Sequence, residues 1–522
     1  MLRPLPVSTG TFRKIIESGT VYVDKTRYMY ELIQHPTAIY FLSRPRRFGK
    51  TLTVSALDEI FQGNQELFKG LWIDTDTDYD WPVHPVIRLD FSATQVRSVD
   101  EVEQVIDYEI QRIARENRLD LFGFNYATRF QDLIRQLSTQ APVVILIDEY
   151  DKPILDNITD TQKAKDIQDL LRGFYGVVKA LEAHIRFVFI TGISKFSKVG
   201  IFSQLNNLLD ITLDYRYATM FGITQQELEH NFAEYMNAFA NKEGLSRSIL
   251  LEKIRIWYNG FRFSDIDCAV YNPYSTVLLF DRQKFSGYWF ETGTPTFLIQ
   301  LIQKRNFDLE LLEDLKVSEH AFSTYEVGNL AIVPLLFQTG YLTIRDYDQS
   351  DQTYELEYPN YEVENAFLTQ LLSQFSETEQ ALSESHLRKL VSALYDYNLE
   401  RFFEVLKVVY ANIDYDLQLD YEKYSQSIFF LIFRLIGIKI SAEVKTNKGR
   451  IDAVVELAER IYLFEFKINA TAEIAMEQIK QNSYFQKYLL HDKSITLVGV
   501  NFSTTARQVD SWDSIDLSTS ER

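Results

Sequence analysis

The chain has 522 residues, of which 46% are hydrophobic and 14% aromatic, and its formal net charge at pH 7 is −19. This length and apolar content predict roughly two to four globular domains and exclude a disordered chain. The single cysteine, Cys268, excludes an intrachain disulfide framework and a multi-cysteine zinc site. The negative charge disfavours nucleic-acid binding by overall electrostatic attraction, so any such contact must be local.

Neither a signal peptide nor a membrane span is predicted. The N-terminus lacks the charged, apolar and small-residue order of a secretion signal. The longest strongly apolar stretch, Ile428 to Ile440, is interrupted by Arg434 and is too short to cross a bilayer. We therefore expect a soluble cytoplasmic protein that makes no membrane contact.

The first strongly patterned stretch is an apolar run followed by a basic, glycine-containing turn and a helical pattern. In phosphate loops of this form, backbone N–H groups hold the phosphates, a lysine reaches the outer ones, and a Ser/Thr hydroxyl binds magnesium. Arg44 stands where the usual first glycine would be, and the alternative is an ordinary basic turn that caps a helix. The predicted nucleotide-binding residues are Arg46, Arg47, Phe48, Gly49, Lys50 and Thr51.

Further elements follow the loop with helical or strand spacing. Helices are predicted at 25–34, 52–61, 102–113 and 161–181, and strands at 21–23, 38–42, 85–91, 143–149, 185–191 and 210–213.

The strand predicted at 143–149 is a continuous apolar run that ends in two carboxylates. A buried strand of this kind delivers Asp148 and Glu149 to the carboxyl edge of a sheet. Asp148 would hold the magnesium shell of a nucleotide and Glu149 would polarise the attacking water. The alternative is a buried strand that ends in a solvated acidic turn. Thr191 and Ser194, near the tip of the next strand, are candidates to sense the terminal phosphate, or else a helix cap or turn.

The region from 225 to 410 is helical and aromatic, and a capping-box pattern at 224–227 opens it. A helix at 330–337, strands at 340–344 and 354–358 and a helix from 363 fit a winged-helix lid, and equally an α+β connector.

The last 110 residues predict a second α/β domain. Its order is a helix at 421–435, strands at 439–444, 450–456 and 461–467, a helix at 472–488 and a strand at 494–500, with a hairpin turn at 447–449.

Charged residues lie on one face of the very apolar strand 461–467. The two-residue period places Glu465 and Lys467 on the same face, and Asp452 lies thirteen positions earlier on the neighbouring strand. Two carboxylates and a lysine that converge in this way can hold one or two magnesium ions and position a water for phosphodiester cleavage. The alternative is a surface Glu/Lys pair beside an unrelated aspartate.

Several sequence segments together resemble the prokaryotic AAA-ATPase-like proteins. Two more segments resemble the PD-(D/E)XK nuclease domain that lies at the end of many of them. The first set is 44–51, 147–151, 191–197 and 202–208, and the second is 449–452 with 464–467. In that family an arginine in place of the first glycine is usual. By the resemblance, Asp452, Glu465 and Lys467 form the nuclease triad and Glu422 is a further metal ligand. Gln478 resembles a polar residue that such nucleases place near the site, although a solvated helix face explains Glu422 and Gln478 equally.

We expect an α/β multidomain protein. An AAA-like P-loop ATPase domain with a parallel sheet would occupy 1–224, a helical or winged-helix-like lid and linker 225–410, and a restriction-endonuclease-like domain 411–522. The resemblance implies an ATPase coupled to a nuclease. We expect this nuclease to cleave DNA with magnesium, or with Mn²⁺ as an alternative ion at the nuclease site, and to serve defence or genome maintenance, and we expect a homo-oligomer as one state. The alternative is a nucleotide-dependent switch or scaffold whose C-terminal fold binds nucleic acid or protein without cutting.

Overall fold

A computed structural model describes most of the chain, in two compact units. The described residues are 2–35, 38–93, 95–195, 201–202, 204–205, 207–290, 296–305, 307, 309–312, 315–323, 331–376, 378–411, 421–440, 444–447, 450–481, 484–489, 493–506 and 508–517. The first unit is Met1–Phe297 with Asp314–Val363, and the second is Leu298–Glu313 with Glu364–Arg522. The predicted division into 1–224, 225–410 and 411–522 stays a prediction.

The helices and strands are numbered in chain order. Those up to residue 282 are α1 (Phe12–Glu17), α2 (Thr26–Ile33), β1 (Ala38–Ser43), α3 (Lys50–Phe61), α4 (Trp72–Thr75), β2 (Val86–Asp90), α5 (Val99–Glu116), α6 (Tyr126–Leu137), β3 (Val143–Asp148), α7 (Lys152–Leu155), α8 (Thr161–Ala180), β4 (Ile185–Gly192), β5 (Leu208–Asp210), α9 (Gln225–Asn231), α10 (Ala233–Glu243), α11 (Arg247–Tyr258) and α12 (Pro273–Arg282). The later ones are α13 (Thr296–Lys304), β6 (Leu315–Ser318), α14 (Ile332–Thr339), β7 (Thr343–Asp348), β8 (Thr353–Glu357), α15 (Tyr361–Phe375), α16 (Gln380–Tyr395), α17 (Leu399–Ala411), α18 (Tyr421–Ile440), β9 (Val444–Asn447), β10 (Arg450–Glu456), β11 (Arg460–Ile468), α19 (Ala472–Gln481), β12 (Ser494–Ser503) and β13 (Gln508–Asp516).

The first unit contains a five-stranded parallel sheet in the order β2-β3-β4-β1-β5. Strands β1 and β3 are buried along their whole length, as expected for apolar runs in a parallel sheet covered on both faces. The strand between β1 and β3 in space is β4, whereas β2, which precedes β3 in sequence, lies at an edge. The carboxyl ends of the strands meet at one edge of the sheet, where Asp90 is paired in register with Asp148.

The strands predicted at 38–42, 85–91, 143–149 and 185–191 are confirmed with ends shifted by at most one residue. Two other strand predictions are wrong. Val21 is not in a strand, because its side chain packs into a hydrophobic cluster formed by residues of α9 to α12. The strand predicted at 210–213 is Leu208–Asp210, and the chain turns there because the Asp210 carboxylate accepts a hydrogen bond from Thr212 N at 3.0 Å.

The helical middle region is confirmed. Residues of α9 to α12 share one hydrophobic cluster. The predicted capping box opens α9, since Thr224 Oγ1 accepts from Glu227 N and Glu227 Oε2 accepts from Thr224 N. Helix α14 is followed by the antiparallel pair β7 and β8, and β8 also pairs with β6. A helix followed by such a hairpin fits the winged-helix-like interpretation and the α+β connector equally, so both stay predictions.

The second unit contains a five-stranded mixed sheet in the order β13-β12-β11-β10-β9. Strands β11 and β12 are parallel, and the other neighbours are antiparallel. On one face, Phe464 and Phe466 of β11 contact Phe433 and Phe429 of α18. On the other face, Ile461 and Leu463 of β11 form a cluster with two side chains of α19, Met476 and Ile479.

Two element predictions in this unit are corrected, and one strand had no prediction. The strand predicted at 439–444 is wrong at its start, because α18 continues through Ile440 and β9 begins at Val444. The helix predicted at 472–488 ends at Gln481, and a 3₁₀ turn follows at Tyr484–Tyr488. Strand β13 was not predicted, because its polar alternation resembles an exposed tail. The predicted turn residues Lys448 and Gly449 lie outside the described residues.

A membrane-crossing segment would need a long, strongly apolar helix. No helix within the described ranges meets that condition.

Candidate functional site

The loop between β1 and α3 carries the predicted nucleotide-binding residues. Arg46 and Arg47 are exposed, Phe48 is buried, and Thr51 is exposed in the first turn of α3. Gly49 precedes α3 with a φ of 93°, in the left-handed region that favours glycine. The first N–H groups of α3 have no intrahelical partner, so the loop offers donors and positive charge to an anion.

The Lys50 amine lies inside this loop. Its Nζ donates to the carbonyls of Arg44 and Pro45, both at 2.9 Å. Burial lowers the pKa of Lys50, and the negative charges of Glu149 and Asp148 oppose that shift. The amine is therefore close to the acids at the end of β3, and its two hydrogen bonds are to neutral carbonyls that a phosphate could replace.

Asp148 is fully buried at the end of β3. Its Oδ1 accepts from Glu149 N at 3.1 Å, whereas Oδ2 has no hydrogen-bond partner among the described residues. Burial raises the pKa of Asp148, and the Asp90 carboxylate on β2 adds to the rise, while the Thr51 hydroxyl and Lys50 oppose it. This Asp148 oxygen, the Asp90 carboxylate and the Thr51 hydroxyl are oxygen ligands of the kind that a hard cation takes.

Glu149 follows Asp148 in a strained turn. It has a φ of 51°, which is uncommon for a residue with a side chain. Burial raises the pKa of Glu149, and the positive charge of Lys50 opposes the rise. A raised carboxylate pKa is suited to general-base work near neutral pH.

The Ser194 hydroxyl is already bonded inside the protein, and its predicted phosphate-sensing role stays a prediction. The Ser194 side chain is fully buried, and its hydroxyl donates to Asp151 Oδ2 at 2.6 Å. The same carboxylate oxygen accepts from the backbone N–H of Ser194 and of Ile193. The hydroxyl of Thr191 is also buried but has no hydrogen-bond partner among the described residues. Of the two sensor candidates, Thr191 is therefore the one whose hydroxyl is free to bind a ligand.

Sequence reasoning missed Asp151 as a functional position. Its carboxylate connects the end of β3 to the end of β4, and Tyr150 adds a hydrogen bond from its N–H to the Thr191 carbonyl. The only signal in the sequence was that Asp151 belongs to segment 147–151, which resembles the AAA-ATPase-like family. A buried aspartate that follows two catalytic candidates is indistinguishable in sequence from a solvated acidic turn.

In the second unit the register of β10 and β11 pairs Asp452 with Glu465. The side chains of Asp452 and of Glu422, which lies in α18, are outside the described residues. The backbone therefore brings the two predicted carboxylate positions together on adjacent strands. Gln478 lies in α19 and is half-buried.

Glu465 and Lys467 form an ion pair on the face of β11 covered by α19. Glu465 is 1% exposed, and its Oε1 accepts from Lys467 Nζ at 3.0 Å, while Oε2 has no hydrogen-bond partner among the described residues. Gly499 of β12 is the register partner of Glu465, and a Cβ there would lie 2.6 Å from the Ala472 carbonyl oxygen. A glycine is required at this position because α19 passes directly over it, which also shields Glu465.

Both candidate sites fit a divalent cation by the chemistry of their donors. Each has a buried carboxylate oxygen, on Asp148 and on Glu465, for which the described residues offer no hydrogen-bond partner, and Mg²⁺ or Mn²⁺ takes oxygen ligands. Among the side chains that the structure describes, no three His, Cys, Asp or Glu residues lie together as a metal site.

Comparison with known proteins finds a family match for each of the two domains. The family model described as "Predicted AAA-ATPase" matches residues 6–202, and the model described as "PD-(D/E)XK nuclease superfamily" matches residues 420–512. A protein of Azotobacter chroococcum mcd 1, described as "Uncharacterized protein in vnfD 5'region", is 38% identical over 533 residues, which cover 97% of this chain and 98% of that protein.

Proposed function

This chain belongs to the predicted AAA-ATPase-like family and ends in a domain of the PD-(D/E)XK nuclease superfamily, and we propose from this that it hydrolyses ATP and cleaves DNA in a metal-dependent reaction. The observation that carries the proposal is that each domain holds, beside a lysine, a buried carboxylate oxygen with no hydrogen-bond partner in the described part of the chain. Leaving such an oxygen unpaired is costly, unless a ligand completes the site.

At the ATP site, we assign binding of the phosphates to the loop N–H groups, Arg46, Arg47 and the Lys50 amine. Lys50 would exchange its two loop carbonyls for phosphate oxygens. Thr51 and Asp148 would hold magnesium, which neutralises charge on the phosphates when bound. Glu149 would accept a proton from the attacking water, a role for which its raised pKa is suited.

At the second site, Asp452 and Glu465 would hold the catalytic cation, with Glu422 as a further ligand. A divalent ion bound there supplies Lewis-acid polarisation of the phosphodiester. Lys467 would give up its bond to Glu465 and donate to a phosphate oxygen, so it would stabilise negative charge that develops during in-line attack. Paired backbone positions of Asp452 and Glu465 support this assignment.

We further propose that ATP binding regulates the nuclease through domain arrangement or self-assembly, in defence against foreign DNA or in genome maintenance. A second candidate function is a nucleotide-dependent switch whose C-terminal domain binds nucleic acid or protein without cutting. The net charge of −19 favours this candidate, because it opposes the general electrostatic attraction on which DNA binding relies.

The decisive experiment is a cleavage assay on circular and linear, single- and double-stranded DNA, with Mg²⁺ or Mn²⁺ and with or without ATP. We expect Asp452→Ala to abolish cutting and to leave ATP turnover intact, whereas Lys50→Ala abolishes ATP turnover. Lys493→Ala is the matched control, because Lys493 forms another lysine–glutamate pair in the same unit. If an ATP-hydrolysing preparation cuts none of these substrates, the nuclease assignment fails and the switch replaces it.

A further inference from the structure

Arg44 begins the phosphate loop at the position where a glycine is usual. Its backbone N–H donates to the Gly192 carbonyl at 3.1 Å, so the residue continues the pairing between β1 and β4. Its side chain is 1% exposed and is among the largest fully buried side chains of the described residues. The guanidinium therefore points into the protein interior rather than into the open loop.

Backbone carbonyls receive this guanidinium. Nη1 donates to the carbonyls of Ser43 at 2.9 Å and Thr212 at 2.7 Å, and Nη2 donates to the carbonyl of Tyr217 at 3.4 Å. The guanidinium carbon also lies 4.3 Å from the centre of the Phe263 ring. Among the described residues, Arg44 forms no ion pair with a carboxylate.

A buried cation of this kind is expensive to maintain. Burial lowers the pKa of Arg44 to about 9, so the group stays charged at neutral pH, and Nε has no hydrogen-bond partner among the described residues. A side chain that only filled space could be apolar at no such cost. The arrangement instead fixes the direction of one chain segment relative to another.

The segment that Arg44 fixes contains the Lys50 site. The Arg44 carbonyl oxygen accepts from Lys50 Nζ at 2.9 Å, and the carbonyl of Pro45 accepts from the same amine. A shift of the Arg44 backbone would therefore move the Lys50 amine and the loop N–H groups together.

Other residues from beyond the matched ATPase segment hold the rest of the loop. Trp289 Nε1 donates to the Arg46 carbonyl at 3.0 Å, and the rings of Phe48 and Phe261 lie 4.8 Å apart. A Cβ at Gly340 would lie 2.8 Å from Pro45 Cβ, which leaves no space between the loop and the turn after α14. The family match ends at residue 202, whereas these contacts come from residues 212 to 340.

We propose that Arg44 is a positioning residue for nucleotide binding, which anchors the start of the phosphate loop to Thr212, Tyr217 and Phe263 and so sets the position of the Lys50 amine. The inference rests on the proposed nucleotide-binding function of the loop. It explains why the loop needs no glycine at position 44. The anchored Arg44 side chain fixes the backbone conformation that a tight glycine turn would otherwise fix.

The test measures binding of a fluorescent ATP analogue with Mg²⁺, and kcat and KM for ATP, in the full-length protein. Arg44→Gly restores the usual motif, and Arg44→Lys keeps a charge but cannot reach three carbonyls. We expect both variants to raise the dissociation constant and KM by about tenfold or more, with a smaller effect on kcat, because a displaced loop binds phosphate poorly.

Arg186→Lys is the matched control. Arg186 also donates to two backbone carbonyls, of His35 and Ile33, but at the opposite end of β4. We expect this variant to keep the wild-type KM even if its melting temperature falls, so a loss of anchoring in general is separated from a loss at the loop.

Binding by Arg44→Gly that equals the wild type would overturn the inference. If the Arg44 variants do not fold, Phe263→Leu decides, with Phe261→Leu as its control, because both rings contact Phe48 but the Phe263 ring also lies 4.3 Å from the guanidinium. A KM that is higher in a folded Phe263→Leu protein than in Phe261→Leu supports the inference, and equal KM values contradict it. If the wild type itself does not bind the analogue, the proposed ATP site fails instead.

Discussion

Replacement of Lys467 by methionine tests the second site most directly. Methionine keeps a long apolar stem in β11 but removes the ammonium that lies 3.0 Å from Glu465 Oε1. The Glu465 side chain is 1% exposed and that of Lys467 is 24% exposed. The variant therefore leaves a buried carboxylate without its cation, whereas Glu465→Gln leaves a lysine that can turn to water.

The ion-pair geometry gives the magnitude. Two unit charges 3.0 Å apart attract by about 5 kcal/mol at an effective dielectric constant of about 20, and loss of hydration offsets much of this. We expect Lys467→Met to lower the free energy of unfolding by about 3 kcal/mol and Glu465→Gln by about 1 kcal/mol. The double-mutant cycle should give a coupling of about 2 kcal/mol.

The assay is urea unfolding of the wild type, both single variants and the double variant, followed by hydrogen exchange of the β11 and β12 amides. Hydrogen exchange of individual amides is needed, because the two compact units need not unfold in one transition. Lys493→Met is the control for a partly exposed pair and should cost about 1 kcal/mol or less.

Metal ions provide a second arm of the same experiment. In Lys467→Met, Mn²⁺ should restore part of the lost protection, because it can bind the Glu465 carboxylate, and it should not do so in the double variant. A coupling below about 0.5 kcal/mol, together with protection that Mn²⁺ does not change, would refute the reasoning that Glu465 and Lys467 form a cation site.

Three further predictions concern the ATP site. Asp148→Asn should stabilise the nucleotide-free protein above about pH 4 and abolish tighter ATP binding by Mg²⁺. A carboxyl whose folded pKa is raised loses stability as pH rises through that pKa, so the stability–pH curve of the variant should be flatter. Glu149→Gln should bind ATP like the wild type but lower kcat by about 100-fold or more, as measured by phosphate release. Thr191→Val should lower kcat with little change in melting temperature, whereas Ser194→Ala should lower the melting temperature because Asp151 loses a hydrogen bond.

The parts of the fold that sequence reasoning predicts well are those with strong local patterns. Strands β1 and β3 are apolar runs with polar ends, and burial on both faces leaves little freedom in where they begin or stop. The capping box at Thr224 and Glu227 is likewise local, since both hydrogen bonds lie within four residues. The pairing of Asp452 with Glu465 follows from a single hairpin, because only residues 457–459 connect β10 to β11.

Properties that depend on distant partners could not be predicted. Ser194 looks like a sensor in sequence, and only the buried carboxylate of Asp151, forty-three residues away, shows that its hydroxyl is already used. Arg44 looks like a defect in the motif until its contacts with Thr212 and Tyr217 are known. The strand predicted at Lys439 failed because the apolar spacing of α18 continues past its predicted end.

The two sites share a physical design although their sheets are unrelated. Each has a carboxylate, that of Asp148 or of Glu465, with one oxygen bonded inside the protein and one oxygen that has no hydrogen-bond partner within the described ranges. Cation binding should therefore stabilise each unit on its own, and this stabilisation gives a measure of coupling that does not require catalysis. If ATP at the first site tightens Mn²⁺ binding at the second by some factor, thermodynamic linkage requires Mn²⁺ to tighten ATP binding by the same factor. Both factors should be measured in the wild type and in Lys50→Ala and Glu465→Gln, two variants that should each reduce the factors to one. Factors above one in the wild type indicate a coupled enzyme, and factors of one indicate two independent domains in one chain.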